Sequence, residues 1–98
     1  MKLTLYIAGH TDTVGPAAKN RTLSLARAVA IGAYFRSKQL AIPIVVAGFG
    51  EEVQKVKTPD DTDERANRRA DYVLGPAGGV PPFQGAYARV KAGWKPLR

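Results

Sequence analysis

Apolar and polar positions alternate in part from Lys2 to Ala8, with Leu3, Leu5 and Ile7 on one side and Thr4, Tyr6 and Ala8 on the other. A period of two marks a strand, and the heavier side chains predict one buried mainly on its Leu3 face. The pattern breaks at His10 to Gly15, a polar loop with Gly9 and Gly15 at its ends. From about Pro16 to Gln39 the spacing turns helical. Leu23, Ala26, Ala30, Ala33 and Tyr34 or Phe35 recur at steps of three and four, with Arg21, Arg27, Arg36 and Lys38 toward the other side. This predicts a long helix that turns its Leu23 face to the core. Pro16 suits a first helical position, where its missing N–H costs nothing, while Asn20 or Thr22 would cap a later start. Gly32 costs the helix about 1 kcal/mol relative to alanine, but lets another backbone approach closely.

Ile42 to Ala47 is a β-branched run, and Pro43, which has no N–H for a ladder, belongs at its start or on a free edge. Gly48 and Gly50 end it. Glu51 to Asp61 reads as a charged loop with turn chemistry at Pro59-Asp60-Asp61. A short helix is expected near Thr62, capped by its hydroxyl and favoured by Asp63 and Glu64 at the positive end of the dipole. Arg69 to Leu74 is the last strand, with Ala70, Tyr72 and Leu74 on one face, and Arg68 and Arg69 point opposite ways. Strand, helix and strand in that order predict an α/β (α+β) two-layer sandwich, its long helix on one face of a mixed sheet and its first two strands parallel. The domain is expected over residues 1–74. Residues 75–98 read as a Gly/Pro linker and an aromatic and basic tail. Phe83, Tyr87, Val90 and Trp94 in that tail either cover the domain's own core or, with the basic residues among them, stack bases or meet a membrane surface.

Composition narrows the classes. The 98 residues, 45% of them hydrophobic and 23% charged, suit one small globular core. Without cysteine there is neither a disulfide framework nor a thiolate metal site. A net charge of +7 attracts polyanions, but the basic residues are spread along the chain, which argues against a dedicated nucleic-acid arm. Neither an apolar leader core nor a membrane-spanning run is visible.

The richest stretch is Gly9 to Ala28, which reads G-H-T-D-x-x-G-x-x-x-x-N-x-x-L-S-x-x-R-A. Together with Gly48-Phe49-Gly50-Glu51 and Asn67-Arg68-Arg69, in matching order from about Leu3 to Leu74, it resembles the OmpA-like domain. That module associates with peptidoglycan in outer-membrane proteins, peptidoglycan-associated lipoproteins and flagellar-motor stators. The resemblance implies a non-enzymatic module without cofactor that binds the diaminopimelate of the peptidoglycan stem peptide, in the periplasm or cell envelope. It also implies a missing first strand and helix, so the domain is expected to be N-terminally truncated, with the tail from Phe83 covering the gap, two copies completing each other, or the fold marginally stable alone. A small basic polyanion- or nucleic-acid-binding protein is the competing reading.

By the same resemblance Asp12 and Arg27 hold the ligand, with Asn20, Thr11, Thr13 and Arg68 as further contacts. Chemistry explains the pairing: an amino-acid head group carries an ammonium and a carboxylate, so its receptor needs an anion and a cation close together. An arginine fork matches the carboxylate with two parallel hydrogen bonds. Taken without the resemblance, Asp12 is a loop residue bonding its own backbone and Arg27 a solvated helix residue. Asn20 is either a helix cap or a ligand contact. His10, the only histidine, makes a poor metal site alone and is expected to serve structural hydrogen bonding.

Overall fold

A computed structural model describes residues 3–52, 58, 62, 65–76 and 94–97. The alternating N-terminal segment forms β1, Leu3–Gly9, followed by a 21-residue helix α1, Ala17–Ser37, and β2, Ile44–Gly48. A 3-10 turn at Arg65–Asn67 leads into β3, Ala70–Pro76, and β4 is the two-residue strand Lys95–Pro96. The sheet order is β3-β1-β2-β4. β2 lies parallel to β1, with Leu5 opposite Ile44 and Gly9 opposite Gly48, whereas β3 and β4 are antiparallel to their neighbours. Among the described residues, one helix on a mixed four-stranded sheet makes the α+β arrangement expected from element order. Pro43 stands just before β2, where it gives up only its carbonyl, to Leu5 N–H. β3 runs through Gly75 and Pro76, two residues into the stretch read as linker, pairing with Thr4 and Leu3.

The helix does not present the face its apolar spacing predicts. Leu23 is 47% exposed and Tyr34 59%, and Ala26, Ala30 and Ala33 also face solvent. The buried seam is Asn20, Ser24, Ala28 and Gly32 at four-residue steps, flanked by the partly buried Leu25, Ile31 and Phe35. The sheet supplies the reason. Gly9 and Gly48 lie side by side under Ser24, and a Cβ on Gly48 would come within 2.6 Å of Leu25 N and 2.7 Å of Arg21 O. With backbone this close to backbone, only small side chains fit between. Further along, Gly32 makes room for the Leu97 side chain rather than for a second backbone. Leu5, Ile7, Ile44, Val46 and Ala28 fill the core beneath.

Ser24 ties these layers together. Its hydroxyl donates to Arg21 O at 2.7 Å and accepts from Gly50 N–H at 2.8 Å, with the side chain fully buried. Ser24→Ala strands the Gly50 amide without a partner, so stability should fall by about 2 kcal/mol. A urea midpoint that stays put in this variant would show that the bond carries no such weight.

The opposite face of β1 is also buried, contrary to a strand covered mainly on its Leu3 side. Thr4, Tyr6 and Ala8 are all at most 5% exposed. Trp94 covers part of this face, edge-on to Tyr6 at 5.8 Å and to Phe49 at 5.9 Å. That aromatic therefore shields the domain's own core. The other aromatics of the tail, Phe83 and Tyr87, lie outside the described residues, as do Asp63, Glu64 and the turn at Pro59-Asp60-Asp61.

Candidate functional site

The loop between β1 and α1 is held by its own polar residues. Thr11 N–H donates to Gly50 O at 2.9 Å, and the Thr11 hydroxyl donates to Asp12 O at 2.8 Å. The Thr13 hydroxyl accepts from Thr62 N–H at 2.7 Å, which fastens the loop to the segment ahead of β3. Gly15 takes φ 82°, a left-handed conformation that side chains avoid, and the chain then enters α1 through Pro16 as its N-cap. Asn20 is not a cap. From the first turn of the helix its amide donates to Asp12 O at 3.3 Å and Val14 O at 2.9 Å, pinning the loop to the helix.

These ties present Asp12 in a fixed pose. One carboxylate oxygen accepts from Val14 N–H at 3.2 Å, and the other pairs with Arg68 Nη1 at 2.5 Å. The Asp12 side chain is 9% exposed and that of Arg68 37%. Both line a cavity of about 370 Å³ that opens at the start of α1. Lys19 and Asn20 complete its polar wall, with Val14, Gly15 and Leu23 as the rest of the lining. Arg27 is not among the lining residues. Its Nη1 donates to the His10 carbonyl, which fastens the middle of α1 to the entry of the loop. Of the six residues singled out in the sequence, Asp12, Asn20 and Arg68 meet at the cavity, while Thr11, Thr13 and Arg27 hold the surrounding backbone. Arg68 and Arg69 do point apart: Arg69 Nε pairs with Asp71 at 3.1 Å. Lys19 was not foreseen, since nothing in its spacing separates it from the other basic residues.

His10 lies behind the loop, fully buried, stacked on Phe49 at 5.7 Å and 3.5 Å from the Asp71 carboxylate. Its pKa is lowered from 6.5 to about 4, first by desolvation and then by the Arg69 charge, with Arg27 adding to them and Asp71 opposing. The imidazole is therefore neutral at pH 7, packed against Phe49 with Asp71 beside it. Among the described residues no group of three or more His, Cys, Asp or Glu side chains could hold a metal ion, and no helix is long and apolar enough to cross a membrane.

A family model described as the OmpA family matches residues 2–71. Domains of that family are typically associated with the cell envelope and are generally non-enzymatic binding modules, with peptidoglycan binding at the family level. No match was found among curated proteins or among solved structures.

Proposed function

Since this chain belongs to the OmpA family, we propose that it binds peptidoglycan non-covalently, through the zwitterionic end of diaminopimelate in the stem peptide, and so tethers to the cell wall on the periplasmic side of the outer membrane. The observation that supports this most is the pairing of Asp12 and Arg68 in one cavity, an anion and a guanidinium 2.5 Å apart. A head group with ammonium and carboxylate on one carbon can exchange with that internal pair, charge for charge. Asp12 takes the ammonium. The carboxylate falls to the arginines, Arg68 from the cavity wall and Arg27 from the donors left after one serves His10. Asn20, Thr11 and Thr13 shape the loop around the ligand.

Pelleting with purified sacculi, with soluble diaminopimelate peptide as competitor, tests the reading. Arg27→Ala and Asp12→Asn should each lose roughly 1.5–3 kcal/mol of binding, the range for hydrogen bonds to charged groups. Asparagine keeps an acceptor for Val14 N–H, so the loop survives the change. Arg68→Ala divides two roles: it weakens binding if Arg68 takes the carboxylate, and strengthens it if Arg68 only competes with the ligand for Asp12. Binding that survives all three changes but collapses with salt would favour attraction of a polyanion to the +7 surface. A second copy pairing along the outer edge of β3, which has only β1 as a neighbour among the described strands, belongs to the same proposal. A monomer by sedimentation at high concentration would remove it.

A further inference from the structure

The cavity holds one more cation than the zwitterion needs. Asp12 is the carboxylate of its wall, whereas Lys19 and Arg68 are both cationic. Asp12 and Arg68 pair with each other, and Lys19 has no ion-pair partner among the described residues. Nor does its charge serve the helix. Lys19 sits in the first turn of α1, where the macrodipole is already positive and no acidic residue offsets it. A zwitterion held by Asp12 and the arginines leaves the ammonium of Lys19 in the cavity lining, exposed and able to reach outward on its four-carbon stem.

We propose that Lys19 sets specificity by binding a second carboxylate of the stem peptide, so that this domain prefers peptides whose carboxylates are free over those in which they are amidated. The inference rests on the diaminopimelate reading above. Besides the head group placed at Asp12, the stem peptide carries two further carboxylates: the α-carboxylate of the neighbouring D-glutamate and the C-terminal carboxylate of the peptide. Both offer the same chemistry, and amidation removes the charge of either without changing its size.

The test is a double-mutant cycle by calorimetry on the full chain, with the tripeptide L-Ala-γ-D-Glu-diaminopimelate, its D-Glu α-amide and its C-terminal amide. Lys19→Gln is exposed and should fold as the parent does. One of the two amides should bind the parent protein roughly three- to fivefold more weakly than the free peptide, the scale of one exposed ion pair, and Lys19→Gln should abolish that difference. Which amide does so identifies the carboxylate. If the free peptide and both amides bind the parent equally, or if the preference persists in Lys19→Gln, the role of Lys19 is overturned while the diaminopimelate reading stands. If the free peptide does not bind the parent at all, both fall together.

Discussion

Gly9→Ala should unfold this domain or destabilise it by at least about 3 kcal/mol, the upper end of what overpacking a close-fitted core costs. A Cβ on Gly9 would fall onto the carbonyl oxygen of Ser24, 2.8 Å from its carbon and 3.2 Å from Ala28 N. Every neighbour here is backbone, so no rotamer change can relieve the clash, and α1 would have to lift from the sheet. Lifting it disturbs the Ser24 bridge to Gly50 and the Arg27 bond to His10 as well. Gly15→Ala is the informative contrast. Nothing lies within 4 Å of a Cβ there, and the cost is confined to placing a side chain at φ 82°, about 1 kcal/mol. Chemical denaturation of the two variants separates them, and a Gly9→Ala protein as stable as the parent would show that the helix does not rest on β1 as described.

Acid should weaken the fold through its one histidine. His10 is buried and neutral, with a folded pKa near 4 against 6.5 for the exposed side chain. Between those values the unfolded chain holds a proton that the folded chain refuses. Stability therefore falls as the pH drops from about 6.5 to about 4 and is constant above that window. The gap corresponds to about 3 kcal/mol in all at 1.36 kcal/mol per unit. The decisive interval is pH 6.5 to 5, in which the unfolded histidine takes up its proton while the folded one does not. A urea midpoint flat across that interval would contradict the assignment. His10→Gln should remove the slope whatever it does to the absolute stability.

Local pattern carried the order and kind of the main elements: a period of two in Leu3–Ala8, β-branched residues in Ile44–Ala47, and a long helix between them. Short-range rules suffice there because the spacing of apolar residues and the positions of Pro16, Pro43 and Gly48 act within a few residues of themselves. The helix face was not legible in the same way. Its apolar residues repeat at Leu23, Ala26, Ala30 and Ala33, but the seam against the sheet is Asn20, Ser24, Ala28 and Gly32. That choice belongs to Gly9 and Gly48, remote in sequence, whose missing side chains let the helix sink until only small residues fit. The candidate site divides likewise. Asp12, Asn20 and Arg68 stood out by motif and meet at one cavity, whereas Arg27 turned to the His10 carbonyl and Lys19 entered the wall unannounced. Residue type limits which charges can pair. Which of them do pair is decided by the folded backbone, because Arg68 reaches Asp12 only once the end of the 3-10 turn at Arg65–Asn67 has been brought beside the β1–α1 loop.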